Sequence, residues 1–146
     1  IECGMGKVCF IGRGSLEIQC IDLETKEKFM LCKLPKSKAT IQEIIDNKLQ
    51  YLYYSDNGAK IDKAYYIDLN TKENKEFKLF DKNQYLVEIL AESNNYYFII
   101  TGYELSKEYT TWAGTKQQNI EKINYGLIKK EDYWNSNAEY ININNN

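Results

Sequence analysis

The sequence predicts an all-β protein made of small repeated sheets, and three observations carry this prediction. The segment IDLNTKE at residues 67–73 repeats IDLETKE at residues 21–27, 46 residues further along the chain. Tyrosine occurs 13 times and clusters in segments rich in isoleucine, leucine and valine, as is typical of strands, and proline occurs once. A period of about 40–50 residues favours a stack of four-stranded sheets over one closed core. We therefore expect one segment, residues 1–146, forming a β-propeller-like array of about three four-stranded antiparallel blades.

The first predicted blade spans residues 1–34 and is partial. Shifting the second repeat back along the chain leaves only Ile1 and Glu2 as the end of an inner strand, so the chain is expected to begin inside a blade. The other strands of this blade are predicted at residues 7–12, 16–22 and 28–34.

The first hairpin is predicted to turn at Gly14-Ser15, a pair that suits a two-residue type II′ turn. A turn centred there sets Cys9 opposite Cys20 on neighbouring strands. A disulfide between them is compatible with an oxidising compartment but is not required. The other interpretation is that Cys3, Cys9, Cys20 and Cys32 are all buried core thiols, since free cysteine is usually buried.

The second predicted blade spans residues 40–83. Its first segment, residues 40–45, has apolar doublets that could also form one helical turn. We favour a strand, because residues 86–90 repeat the pattern with Glu88 placed 45 residues after Glu43. The strands of this blade are predicted at residues 40–45, 49–55, 62–69 and 75–80.

The third predicted blade spans residues 85–144 and contains an insertion. Residues 97–100 lie 46 positions after their counterparts in the second blade, whereas residues 124–128 lie about 60 positions after theirs. The difference places roughly 14 extra residues within positions 103–121, between the second and third strands. A last strand is predicted at residues 140–143, and Trp134 is expected to pack within the blade.

The insertion carries the candidate ligand- or partner-binding residues Tyr103, Tyr109 and Trp112. Large aromatic side chains with hydrogen-bonding edges are common at recognition surfaces, and loops that break a repeat often carry specificity. The charged residues around them are Lys107, Glu108 and Lys116. The alternative is that Trp112 folds back and packs on the sheet.

Composition weighs against several function classes. The chain has no histidine, so it contains neither a Ser-His nor a Cys-His nucleophilic pair, and its cysteines lack zinc-site spacing. We predict no metal, no cofactor and no catalytic residue. Asp22 and Asp68 occupy equivalent repeat positions and are expected to hold turns. A formal charge of −2 disfavours nucleic acid, and no apolar run is long enough to span a bilayer.

These repeated motifs resemble those of the TolB-like six-bladed β-propeller proteins of bacteria. The resemblance rests on an aromatic strand ending in Tyr-Tyr-Ser-Asp at residues 53–56, the Ile-Asp-Leu-x-Thr-Lys-Glu hairpin, and the inner strand Val-Glu-Ile-Leu-Ala-Glu at residues 87–92. It implies a ring of four-stranded blades with ligands or partners at its faces, and it slightly favours the cell envelope or exterior. Three blades do not close a ring, so missing blades or a second copy of the chain are expected.

The sequence therefore predicts a non-catalytic module that binds a protein or a small ligand, carbohydrate included. Two alternatives stay open. One is a propeller-based hydrolase or lyase acting on polysaccharide, whose acidic residues lie partly on missing blades. The other is an envelope-associated sensor ectodomain.

Overall fold

The computed structural model describes residues 1–58 and 60–144 and is all-β apart from one five-residue helix within those ranges. Three four-stranded antiparallel sheets account for most of the chain. The predicted fold class is thus confirmed at the level of repeated four-stranded antiparallel sheets. The chain divides into two compact units, unit 1 (Ile1–Lys78) and unit 2 (Leu79–Asn146). Unit 1 holds the first two sheets and unit 2 the third.

The first sheet of unit 1 follows chain order. Its strands are β1 (Glu2–Gly4), β2 (Lys7–Ile11), β3 (Glu17–Asp22) and β4 (Lys28–Lys33). The predicted register is confirmed, because Cys9 lies opposite Cys20 in the β2–β3 ladder.

The first hairpin turns differently from the prediction. The Ser15 N–H donates to the Gly12 carbonyl at 2.9 Å, so Arg13 and Gly14 are the central turn residues. Gly14 has φ of +72° at the third turn position, a conformation that glycine adopts without steric cost. The prediction of a two-residue turn at Gly14-Ser15 is therefore wrong. The register is nevertheless the predicted one, because Ile11 pairs with Ile18 and the midpoint between them is the midpoint of Gly14-Ser15.

The cysteines correct the prediction of four core thiols. Cys9 and Cys20 are joined by a disulfide, with their Cα atoms 4.3 Å apart. Cys3 is exposed, and Cys32 is a half-buried free thiol. Burial raises the pKa of Cys32 to about 11, so that this thiol stays protonated at neutral pH. Only Cys32 resembles the buried thiol that was expected.

The second sheet of unit 1 also follows chain order. Its strands are β5 (Thr40–Ile45), β6 (Lys48–Tyr54), β7 (Ile61–Asp68) and β8 (Asn74–Phe77). The strand assignment for residues 40–45 is confirmed. Alternate residues of each strand face the same side, which gives each sheet an apolar face. The apolar faces of the two sheets contribute to one core. Its buried members are Cys9, Ile18, Cys20, Leu31, Leu34, Leu49, Tyr51, Tyr53, Ile67 and Leu69.

The same Asp-anchored turn ends the third strand in both sheets of unit 1. Asp22 Oδ1 accepts hydrogen bonds from the N–H groups of Glu24 and Thr25 at 2.9 and 3.0 Å. Asp68 Oδ1 accepts from Asn70 and Thr71 at 2.8 and 3.0 Å. The interpretation of both aspartates as turn residues is confirmed.

Unit 2 contains one four-stranded sheet and a small separate hairpin. Its elements are β9 (Glu88–Glu92), β10 (Tyr96–Leu105), β11 (Tyr109–Thr110), β12 (Lys116–Gln117), β13 (Ile120–Lys129), α1 (Lys130–Trp134) and β14 (Ile141–Asn142). The sheet order is β9-β10-β13-β14, while β11 pairs with β12 alone. The insertion is confirmed between the second and third strands of this sheet.

Helix α1 replaces the Asp-anchored turn between the third and fourth strands of this sheet, and the sequence did not predict it. The Trp134 Nε1–H donates to the Tyr97 hydroxyl at 2.9 Å, and the Tyr133 hydroxyl donates to the Val87 carbonyl at 3.0 Å. Both aromatic rings are buried. The prediction that Trp134 packs on the strands of its own repeat is confirmed, because it contacts Tyr97 of β10. Within the part of the chain that the structure describes, no helix has the length and hydropathy needed to cross a membrane.

Candidate functional site

The insertion forms an arm, defined as residues 106–119, that extends from the ends of β10 and β13. Its tip is a turn in which the Gly114 N–H donates to the Thr111 carbonyl at 2.9 Å. Trp112 lies in this turn and is 101% exposed. The alternative in which Trp112 packs on the sheet is therefore wrong. The tip instead presents a whole indole ring to solvent.

Hydrogen bonds within the arm connect its two sides. The Tyr109 hydroxyl lies 3.1 Å from Asn119 Oδ1 and 3.3 Å from Gln117 Oε1, both acceptors. At the base, the Asn119 N–H donates to Ser106 Oγ at 2.8 Å, and the Ser106 N–H donates to the Asn119 carbonyl at 2.8 Å. Tyr109 thus contributes to the structure of the arm as well as to its exposed surface.

A groove lies beside the base of the arm, and we call it the tyrosine groove. Its volume is about 540 Å³, within the range of roughly 300–1,000 Å³ that is usual for small-ligand sites. The lining residues are Tyr85, Leu86, Glu88, Tyr103, Leu105, Gln118 and Ile120. The rings of Tyr85 and Tyr103 are 6.1 Å apart between centroids, and their planes meet at 87°. The two rings therefore form adjacent walls of a corner.

A tight turn places Tyr85 at this groove. Asp81 Oδ1 accepts hydrogen bonds from the N–H groups of Asn83 and Tyr85 at 2.8 and 2.9 Å. The Asp81 N–H donates to the Tyr85 carbonyl at 2.8 Å, which closes the turn. One carboxylate thus fixes the backbone from which the Tyr85 ring projects.

Two contacts attach this turn to β10. The Asn83 side-chain amide donates to the Tyr103 carbonyl at 3.0 Å. Lys82 Nζ lies 2.6 Å from Glu104 Oε2 in a salt bridge. Because both contacts join the turn to neighbouring residues of β10, they hold Tyr85 against Tyr103.

The groove has a negative electrostatic environment. Burial raises the pKa of Tyr103, and the nearby carboxylates of Glu88 and Asp81 raise it further, so this phenol stays neutral at physiological pH. Glu88 is the charged residue in the lining, and no residue within 1–58 or 60–144 forms a salt bridge with it. Asp81 Oδ2 is buried and has no hydrogen-bond partner among the described residues.

The structure separates the three residues predicted to bind a ligand. Tyr103 lines the groove, whereas Tyr109 and Trp112 lie on the arm. Sequence reasoning missed Tyr85, which immediately precedes the predicted inner strand, and used Glu88 only as a marker of the repeat. The position of Tyr85 beside that strand was the available signal, but its contact with Tyr103 depends on the turn described above.

The groove offers aromatic, apolar, hydrogen-bonding and charged contacts to a ligand. It supplies two phenol rings, apolar side chains, one amide and one carboxylate. The described residues contain no cluster of three or more cysteine, aspartate or glutamate side chains that could hold a metal ion. The whole chain has no histidine.

Comparison with known proteins identifies no relative. No family model, no curated protein and no solved structure matches this chain. The resemblance to TolB-like propellers therefore stays a prediction.

Proposed function

We propose that this chain is a non-catalytic β-propeller-type module that binds a ligand or protein partner through the arm of unit 2. The observation that carries the proposal is the complete exposure of Trp112 at the tip of the arm. An indole ring in water forgoes the burial that stabilises most tryptophans, and tryptophan is enriched among the residues that dominate binding energy. Trp112 is thus the expected anchor for a partner.

The hydrogen bonds of the arm support the same function. A loop that is already ordered loses less conformational entropy when it binds, so more of the contact energy appears as affinity. The arm has this character, because Tyr109, Ser106 and Asn119 hold its two sides together. The charged pair Lys116–Glu108, at 3.5 Å, adds a polar rim beside the exposed ring.

The propeller part of the proposal rests on the three sheets. Each is a four-stranded antiparallel meander in chain order, interrupted in the third by the arm. Such sheets expose unpaired strand edges, which propellers protect by radial repetition of blades. We propose that further blades, or a second copy of the chain, complete the ring.

The disulfide supports an oxidising compartment such as the cell envelope or the exterior. Structural disulfides form and persist there and are rare in the cytosol. Thiol titration of the protein purified without reductant, in denaturant, should detect Cys3 and Cys32 only. Four reactive thiols before reduction would contradict this location.

The binding role is tested by screening the full chain on glycan and peptide arrays and measuring the affinity of each hit. Trp112→Ala should weaken binding about 30-fold, which corresponds to about 2 kcal/mol for an interface hot spot. The matched control is Tyr54→Ala, which removes another exposed aromatic ring, in unit 1, and should leave affinity unchanged. A hit bound equally by wild type and Trp112→Ala would contradict a role for the arm.

A further inference from the structure

The tyrosine groove combines two aromatic walls with an unneutralised carboxylate. The Tyr85 and Tyr103 rings stand almost at right angles, and Glu88 is the charged member of the lining. The lysine nearest in sequence, Lys82, is bound to Glu104 at 2.6 Å, so its charge is already compensated. The local field therefore favours a positively charged occupant.

Elsewhere the chain places ammonium groups over aromatic rings. Lys36 Nζ lies 4.8 Å from the ring centroid of Tyr53, and Lys130 Nζ lies 5.1 Å from that of Tyr97. Among the described residues no lysine or arginine lies over Tyr85 or Tyr103 in this way. The groove thus has the rings and the counter-charge of a cation site without an internal cation.

We propose that the tyrosine groove binds an alkylammonium group, either in a small ligand or at the end of a methylated lysine side chain. A quaternary ammonium has no N–H donors to satisfy and is attracted by the electron-rich faces of aromatic rings, which is how aromatic cages recognise it. Glu88 supplies the opposite charge at the same site. The groove volume of about 540 Å³ accommodates a group of this size.

The inference rests on the proposed function in taking unit 2 as the binding part of the chain. It does not depend on the arm tip, because Trp112 does not line the groove. Failure of Trp112→Ala to affect any partner would leave the cation site intact, and failure of the cation titrations would leave the partner assay intact. The two proposals can therefore fail separately.

The test is calorimetric titration of the full chain with choline and with 3,3-dimethyl-1-butanol, which has the same shape without the charge. Choline should bind saturably and at least about tenfold more tightly, since a desolvated cation–π contact and an opposite charge each favour it. Glu88→Gln should weaken choline binding about tenfold and leave the neutral alcohol unaffected.

Matched variants distinguish the contribution of the Tyr85 ring from that of its hydroxyl, and the effect of a groove carboxylate from that of a carboxylate outside the groove. Tyr85→Leu should weaken choline binding several-fold, whereas Tyr85→Phe keeps the ring face and should bind within about twofold of wild type. The control Glu92→Gln removes a carboxylate of the same strand that pairs with Lys130 outside the groove, and it should change nothing. Tyr85 and Glu88 are exposed, so these variants are expected to fold, which thermal melts will verify.

A trimethyllysine peptide distinguishes the two sources of the cation. Binding of this peptide more tightly than choline, with choline as competitor, would identify a protein side chain as the occupant, and the reverse order would identify a small ligand. Either result supports the cation site. Absence of saturable binding by choline, tetramethylammonium and the peptide in the millimolar range would overturn it. Equal affinity for the neutral alcohol, or an unchanged affinity in folded Glu88→Gln, would also overturn it.

Discussion

Trp134 and Trp112 lie in the same unit and have opposite surroundings. Trp134 is 7% exposed, donates a hydrogen bond to Tyr97 and packs edge-on against Tyr133 with 5.0 Å between ring centroids. Trp112 is fully exposed. One indole ring stabilises the fold by leaving water, and the other keeps its apolar surface available. The comparison shows that a departure from the repeat does not by itself mark a binding site.

Both tryptophans belong to such departures. Helix α1, which carries Trp134, stands where unit 1 uses an Asp-anchored turn, and the arm, which carries Trp112, lengthens a hairpin that is short in unit 1. Helix α1 buries the rings of Tyr133 and Trp134 inside unit 2, where both side chains donate hydrogen bonds. The two sides of the arm hydrogen-bond to each other, but the ring at the tip is left unpacked, and this exposed apolar surface favours a binding role.

The largest effect is expected from Trp134→Ala. Truncating a buried tryptophan leaves a cavity and removes the hydrogen bond to Tyr97, so the free energy of unfolding should fall by about 3–5 kcal/mol. Urea unfolding followed by circular dichroism measures the loss. A loss below about 1 kcal/mol would contradict the packed role of Trp134 and remove the contrast with Trp112.

The second largest loss of stability is expected from removing the disulfide. This bond cross-links two strands of unit 1, whereas unit 2 is stabilised by a cluster of buried aromatic rings. Replacing Cys9 and Cys20 together by alanine should lower the free energy of unfolding by about 3 kcal/mol, since a closed loop of this length restricts the unfolded chain by that amount. The control is Cys3→Ala, which removes an exposed free thiol and should be neutral. If reductant destabilised the double variant as much as wild type, the assignment of this disulfide as the stabilising bond would be wrong.

The Asp-anchored turn is expected to contribute less than either of these features. Asp68→Ala removes the acceptor of two backbone N–H groups and should cost about 1 kcal/mol, as loss of a capping side chain does. Asp68→Asn keeps an acceptor oxygen and should cost less. Equal stability of Asp68→Ala and wild type in urea unfolding would show that the repeated turn does not depend on its aspartate.

The same residue predicts a pH dependence. Burial disfavours the charged form of Asp68, but the N–H groups of Thr71 and Asn70 more than offset this and lower its pKa below the ordinary 3.8. The stabilisation is therefore complete above about pH 4 and is lost as the pH falls through the lowered pKa of the folded state. Wild type should lose stability in urea unfolding as the pH falls below about 4, with part of that loss absent in Asp68→Asn.

The features that recur along the chain could be predicted from the sequence. The recurring strands, the opposition of Cys9 and Cys20, the turn role of Asp68 and the position of the insertion all follow from local pattern, and the structure confirms them. Propeller closure stays a prediction, because the first two sheets form unit 1 and the third belongs to a separate unit, unit 2.

The missed features depend on contacts that have no periodicity. Helix α1 is stabilised by burial of its aromatic rings rather than by a strong helical pattern. The tyrosine groove depends on Asn83 and Lys82 reaching β10, and a single sequence does not reveal such pairings between distant segments. Tyr103 was identified through the insertion, whereas Tyr85 and Glu88 became visible as groove residues only in the folded chain.

The smallest effect on stability is expected from Trp112→Ala. Because the ring contacts solvent on all sides, its loss should change the free energy of unfolding by less than about 0.5 kcal/mol, the usual range for surface substitutions. Iodide quenching of fluorescence provides an independent check, since Trp112 should be quenched readily in wild type and Trp134 should be protected. Trp112→Ala should remove the quenchable emission and leave the protected emission of Trp134. A fall of more than about 1 kcal/mol, or quenching that survives the substitution, would place Trp112 within the packed structure and remove the main support for binding at the arm.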